Sequence, residues 1–411
     1  MAAHLASFST PFVTSPRLAP NTKAGFKPWS TTLVRCEPRT EGCGVAFHFE
    51  IVVRRSLDAI CTSTRGFEDL YSSLLRFRIL RQHGYYVSAE CFSRFREQSG
   101  RFTENLCEDV RGLLRLYEAS QLACEGETEL EEATALSSEH LRARISHMEQ
   151  RMSRQVQRAL QVLLHRRVRR VEAREYIETF ERTDSRSQVL HEFARPDFNM
   201  VQTIHQRELR ELSGWWRDLG LDEHISFARD RLVESYFVAV GKMHGPQFSQ
   251  YRMQLARVSY LMATIEDIFD EHQWDLQAAE QLPQSLRVFY VAVYNTTNQI
   301  SYTVLRRHGR DITSNLRRVW VSVCRAYLVE ARWHHAQQTP RLEEYLSNIW
   351  AAMTGPILLP AYFFLSQNIE EQAIQQLQSE SDIINLSSMI VRLSADLQRS
   401  RVSLVYFLLV N

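Results

Sequence analysis

Apolar positions along this chain recur at intervals of three and four, and no stretch of useful length alternates with the period of two that a strand needs. From about residue 45 onward the pattern is helical. Within residues 67–83, Leu70, Leu74, Phe77 and Leu80 fall at helical spacing beside Arg81, and His83-Gly84-Tyr85 ends the helix with glycine as C-cap. Residues 104–124 and 128–148 predict two further helices, with Ser and Thr placed to cap several of these segments. Arg195-Pro196-Asp197 predicts a break, because proline disfavours helix at the preceding residue and Asp197 can cap the next helix. Helical stretches then continue to about residue 400. The segment 255–269 is apolar on nearly every side, with Arg257, Ser259 and Thr264 as the main exceptions. The helix over 253–270 is therefore expected inside a bundle. Residues 349–365 form another apolar run, interrupted by Gly355-Pro356 and Pro360. A buried, broken helix is expected there and no membrane span. No internal repeat is present, and the expected fold class is all-α.

Composition points the same way. Fourteen Gly and eleven Pro in 411 residues are too few for a turn-rich β sandwich or barrel of this size. Hydrophobic residues at 44% and charged residues at 24% exclude wholesale disorder and a fibre. The net charge of +1 gives no global field to recruit nucleic acid or an anionic membrane. Of the basic residues only Lys23, Lys27 and Lys242 are lysine. Seven cysteines without a CxxC pair suggest neither a zinc site nor a disulfide framework, so a reducing compartment is expected. The basic run at 165–170 is the local case for an RNA or phosphate patch. No aromatic residues interleave it for base stacking, and a helix junction with solvated arginines is the preferred reading.

Residues 1–36 differ from the rest. They hold no Asp or Glu, nine Ser or Thr, four Pro and four basic residues. A hydroxyl-rich, mildly basic leader with no long apolar core reads as an organelle transit peptide. Its end, Val34-Arg35-Cys36, resembles plastid cleavage sites, so the expected address is the chloroplast stroma. A plain disordered tail is the alternative.

The pattern with most chemistry in it lies at the end of the buried helix, where Glu266, Asp267 and Asp270 follow the apolar run. Three carboxylates there are costly unless something cationic meets them. Glu266 and Asp270 stand four apart and share a face. Two carboxylates with open positions are what Mg²⁺ accepts alongside phosphate oxygens; a solvated helix end is the plainer alternative. Upstream, Arg229 and Arg231 suit a polyanion such as diphosphate through bidentate hydrogen bonds, or else a surface ion-pair network.

Several segments together resemble the plant class I terpene synthases in order and spacing. They are Trp215-Trp216-Arg217-Asp218-Leu219-Gly220, then Phe227-Ala228-Arg229-Asp230-Arg231-Leu232-Val233-Glu234, then Ile265-Glu266-Asp267-Ile268-Phe269-Asp270. Leu282-Pro283, Tyr294-Asn295-Thr296-Thr297-Asn298, Tyr327-Leu328-Val329-Glu330-Ala331 and Leu342-Glu343-Glu344-Tyr345-Leu346 continue the likeness. It extends upstream through Leu80-Arg81-Gln82-His83-Gly84-Tyr85 and Leu116-Tyr117-Glu118-Ala119-Ser120, and covers nearly everything from about residue 43 to 400. The flavour is similar to the plastid monoterpene synthases.

The resemblance implies a catalytic α domain over 195–411, preceded by a partial N-terminal helical domain over 37–194. It implies Mg²⁺-assisted departure of diphosphate from a prenyl diphosphate, geranyl diphosphate favoured, with Mn²⁺ as the alternative ion. By position it makes Glu266, Asp270 and Glu330 metal ligands and Asp267 a supporting acid. Arg229, Arg231 and Arg392 then face the diphosphate. Monomer and homodimer both remain open, and neither nucleic acid nor membrane is an implied partner.

The chain departs from the family pattern at five places, one being that the N-terminal domain lacks its first half, with the paired-Arg and Trp signature many monoterpene synthases carry. In register with Arg392, the second metal motif of the family falls on Ala395, Arg399 and Ser403, none of which can take its ligand role, while Asp396 stands at a neighbouring, non-ligand position. The stretch between Asp270 and Trp274 is shorter than the pattern. Val238 stands where the family usually has a cation-facing Trp; nearby Trp215, Trp216, Tyr236 and Phe237 are read mostly as core. Finally, the apolar residues 402–410 are too few to span a bilayer and stand where the family continues with further helices, so a C-terminally truncated chain with impaired turnover is expected. The alternatives are a non-catalytic pseudoenzyme or partner subunit that binds diphosphate, and a helical RNA-binding protein.

Overall fold

The computed structural model describes residues 44–63, 69–90, 92, 109–179, 185–271, 284–353, 363 and 386–397. The 1–36 leader, Arg399, Ser403, the 402–410 run and most of 349–365 lie outside the described residues. Among those described there is no strand, so the all-α expectation holds. The chain divides into two compact units, one ending at Met200 and the other beginning at Val201.

The N-terminal unit contains α1 (Glu50–Thr62), α2 (Leu70–Gln82), α3 (Val110–Ser120), α4 (Thr128–Arg144), α5 (Gln150–Gln161) and α6 (Arg169–Thr179). Asp69 caps α2 by accepting from the Ser72 amide at 2.9 Å. The helix closes as its sequence predicts. Gly84 takes a left-handed φ of 81°, and the Tyr85 amide donates back to the Leu80 carbonyl at 2.9 Å. Leu74 and Phe77 of α2 are buried with Leu113 and Leu116 of α3, Leu130 and Leu141 of α4, and Val156 of α5. Phe92 completes this core, edge-on to Phe77 with ring centroids 4.8 Å apart.

Two expectations are corrected in this unit. The basic run at 165–170 does sit at a helix junction and Arg166 is exposed, but Arg167 and Arg170 are not solvated. Arg167 stands 3.5 Å from the Glu118 carboxylate, and buried Arg170 donates to the Phe198 carbonyl at 3.0 Å with its guanidinium over the Phe198 ring. Charge that looks solvent-directed in a linear run is consumed by partners distant in sequence. Nor does the chain break at Pro196, which lies inside α7 (Ser185–Leu219). Asp197 therefore caps nothing; it is buried and pairs with His48 at 2.6 Å. That contact and the burial of Ala194 and Val201 hold helix through a residue whose local preference opposes it.

In the C-terminal unit α7 is followed by the short α8 (Leu221–His224), then α9 (Leu232–Lys242), α10 (Ser249–Glu271), α11 (Gln284–His308), α12 (Thr313–His335) and α13 (Leu342–Met353). Residues 386–397 form a last helix, α14. The expected central helix is α10. It packs against α9, α11 and α12 and buries Leu255, Val258, Leu261, Ile265 and Ile268. Arg252, wholly buried, pairs with Glu208 at 2.6 Å; of the polar exceptions, Arg257 donates to Gln299 at 2.6 Å and Thr264 to the Tyr260 carbonyl at 3.0 Å. Trp215 and Trp216 pack on this core, Trp216 donating its indole N–H to the Tyr260 hydroxyl at 2.7 Å. Tyr236 is buried too, and its hydroxyl donates to Glu208. Phe237 and Val238 are exposed, so the core reading fails for Phe237.

Candidate active site

The apolar face of α10 places its C-terminal acids. Burial of Ile265 and Ile268 fixes the helix rotation, and Asp267, between them, is carried inward to 7% side-chain exposure. Such a carboxylate needs cations, and the loop before α9 supplies them. Arg229 donates to Asp267 from its backbone N–H at 3.1 Å and from Nη2 at 3.0 Å, and Arg231 Nη2 donates to the same carboxylate at 3.0 Å. Arg231 Nη1 also stands 4.0 Å from Glu266. The two arginines and two of the three acids singled out in the sequence therefore meet. Arg229 keeps 70% of its side chain in solvent, so its charge remains available to a ligand. Asp270 continues the backbone of α10, but its side chain lies outside the described residues.

Glu330 on α12 joins this acidic end electrostatically. Its carboxyl is pushed above the usual carboxylate range by burial. Arg392 opposes that shift, while Asp396 and Glu266 add to it through like-charge repulsion. Arg392 Nη2 donates to Glu330 at 2.7 Å. Three residues that carry no site role in the sequence pattern complete the arrangement. The Tyr345 hydroxyl accepts from Arg392 Nε at 3.2 Å and donates to Asp396 at 2.5 Å; Asp396 also accepts from Arg392 Nε at 3.1 Å; and Asn348 Nδ2 lies 3.5 Å from Glu330. A local signal existed for Asp396, which stands four residues after Arg392 on one helix. None existed for Tyr345 or Asn348. Ala395, on the same helix, offers no ligand atom.

The donor chemistry suits a hard divalent cation: carboxylate oxygens only, with Glu266 adding to the upward shift of Glu330. Among the described residues, no three His, Cys, Asp or Glu side chains stand together as a complete metal cage. Two carboxylates in repulsion, flanked by Arg229, Arg231 and Arg392, could bind a metal–polyanion pair and stabilise negative charge building on a departing group.

The family model "Terpene synthase family, metal binding domain" matches residues 217–403, and "Terpene synthase, N-terminal domain" matches residues 39–160. The chain is 42% identical over 375 residues to an alpha-thujene synthase of Litsea cubeba whose name carries the word chloroplastic, covering 87% of this chain and 64% of that protein. It thus spans less than two thirds of the length of that curated relative. Among solved structures it is similar to isoprene synthase from grey poplar leaves (Populus x canescens), with TM-score 0.84 and 38% identity, covering 94% of this chain and 77% of that one. That crystal structure is a complex with three Mg²⁺ ions and dimethylallyl-S-thiolodiphosphate. A limonene synthase in complex with 2-fluorolinalyl diphosphate matches with TM-score 0.82 and 32% identity, covering 90% of this chain and 73% of that one.

Proposed function

The chain belongs to the terpene synthase family, and from that membership we propose that it binds a prenyl diphosphate and promotes its ionisation with Mg²⁺. Geranyl diphosphate is the favoured substrate. The reaction class is that of a carbon–oxygen lyase, with the allylic cation cyclising or being quenched after diphosphate departs. One observation carries the reading: the α10 terminus gathers Glu266 and Asp267 with Arg229 and Arg231, while Glu330 and Arg392 join the same electrostatic environment. Glu266, Asp270 and Glu330 would hold the metal, with Mn²⁺ as an alternative. When bound, the metal neutralises the leaving group's charge as a Lewis acid. Asp267 keeps Arg229 and Arg231 at the helix end, where their remaining donors can receive diphosphate. Arg392 supplies a further fixed cation.

Turnover is impaired in this reading, because Ala395 stands at a ligand position of the second metal motif. The same residue favours a second reading, a non-catalytic diphosphate-binding protein. We assign the site to a catalytic domain over 195–411, with a partial N-terminal domain over 37–194. The acid-free leader and the relative's name support a plastid stroma address.

The test is calorimetric titration of the full chain with Mg²⁺ and inorganic diphosphate. Metal-dependent diphosphate binding is expected, and it should vanish in the double variant Glu266→Ala/Asp270→Ala. Unchanged binding in that variant would reduce the acids to a solvated helix end. Incubation with Mg²⁺ and geranyl diphosphate then separates the two readings. Rapid diphosphate release that Asp270→Ala abolishes would overturn the impairment while keeping the substrate class; binding without release supports the non-catalytic reading.

A further inference from the structure

Arg392 is held on one edge only. A guanidinium presents Nε and Nη2 along one side of its plane, with Nη1 on the other. On the first side Nε donates to Tyr345 and Asp396, and Nη2 donates to Glu330. Nη1 is buried and has no hydrogen-bond partner among the described residues. Burial usually forces every donor to find an acceptor, so the two unused N–H groups on a side chain only 8% exposed leave an edge of this guanidinium that an incoming anion can satisfy.

We propose that Tyr345 and Asp396 are positioning residues that fix the Arg392 guanidinium, so that Nη1 is presented to the diphosphate group of the substrate. This rests on the functional reading above and deepens it. Asp396 carries the charge that holds Nε. Tyr345 comes from a different helix, α13, and its short hydrogen bond to Asp396 stops that carboxylate from rotating away. The ring of Tyr345 also lies 5.9 Å from the Arg392 guanidinium carbon. Together they restrict the torsions of a long side chain, so little ordering entropy is left to lose when the anion binds. Asp396 accordingly acts through an arginine rather than through a metal, which gives the acid beside Ala395 a role of its own.

The test is a double-mutant cycle read by calorimetry with Mg²⁺ and inorganic diphosphate. Wild type, Asp396→Asn, Tyr345→Phe, Arg392→Gln and Arg392→Gln/Asp396→Asn are compared, and thermal melting of each reports folding. Asp396→Asn is expected to weaken diphosphate about tenfold and Tyr345→Phe about threefold. In the Arg392→Gln background Asp396→Asn should add almost nothing. A purely structural role would lower the melting temperature in both backgrounds without this dependence on Arg392. Independent, multiplying losses of affinity overturn the proposal, as does wild-type affinity in a folded Asp396→Asn variant. If Asp396→Asn fails to fold, Tyr345→Phe, which removes only a hydroxyl, decides by the same comparison. A wild-type chain that binds no diphosphate overturns the functional reading itself, and the positioning role with it.

Discussion

Each unit contains a nearly buried arginine paired with a glutamate, and the two are used differently. In the N-terminal unit, Arg81 joins the Glu127 carboxylate through Nη1 and Nη2, both at 2.5 Å. Its Nε and Nη2 also donate to the Val87 carbonyl, and Nη1 to that of Leu122. Every nitrogen is engaged, and the ties reach across as many as 46 residues of sequence. In the C-terminal unit, Arg392 is as deeply placed, at 8% side-chain exposure against 6% for Arg81, yet Nη1 has no partner among the described residues. Burial, charge and pairing are alike; what differs is the unspent donor. Arg81 completes its own hydrogen bonds within the fold and serves as a strut, while Arg392, held along one edge beside Glu330 and Asp396, keeps a donor to spare.

The largest effect that sharpens this contrast is expected from Arg81→Ala. It strands a partly buried carboxylate and two carbonyls at once, and should destabilise the N-terminal unit by about 3–5 kcal/mol in urea unfolding. A loss no larger than that of an exposed ion pair would break the comparison. Next comes Arg392→Gln. It leaves behind two carboxylates, which can hydrate or protonate, and a hydroxyl still bonded to Asp396, and should lower stability by about 2 kcal/mol. Diphosphate affinity should fall in that variant by about 10–100-fold, as for loss of a charge-assisted contact. Equal stability losses at the two arginines, with diphosphate affinity untouched, would contradict the distinction.

A graded effect is expected in acid. Burial alone would raise the pKa of Glu118, but Arg115, Arg78 and Arg167 outweigh it and hold the carboxyl below the usual range. A folded value below the unfolded one means the stabilisation is complete above about pH 4.3 and is lost as pH falls through the folded value. Melting temperature should therefore drop from pH 6 to pH 3, and less steeply in Glu118→Gln. Identical slopes would show that other carboxylates carry the transition. The smallest effect is that of Gly84→Ala, in the turn just after Arg81. An added Cβ meets nothing within 4 Å there, so only the left-handed φ of 81° penalises it, by about 1 kcal/mol. A much larger loss would mean the turn has no slack.

What the sequence determined by itself was local or repeated. The helix periods, the Gly84 stop, the burial of the apolar positions in 255–268 and the acids at the helix end are readable because helix geometry converts spacing directly into faces and caps. Ordered motifs also identified the family, since many weak patterns in register are jointly specific. Pairing was decided by tertiary structure. Asp267 finds Arg229 and Arg231 across 38 and 36 residues, Glu330 finds Arg392 across 62, and Tyr345 finds Asp396 across 51. No periodicity encodes such contacts, because they depend on how whole helices cross. The same cause explains two of the misreadings. Arg167 and Arg170 look solvated until Glu118 and Phe198 are brought to them, and Pro196 looks like a break until His48 anchors Asp197 beside it. Local preference sets what a segment does alone; packing energy, summed over many contacts, decides whether that preference is obeyed.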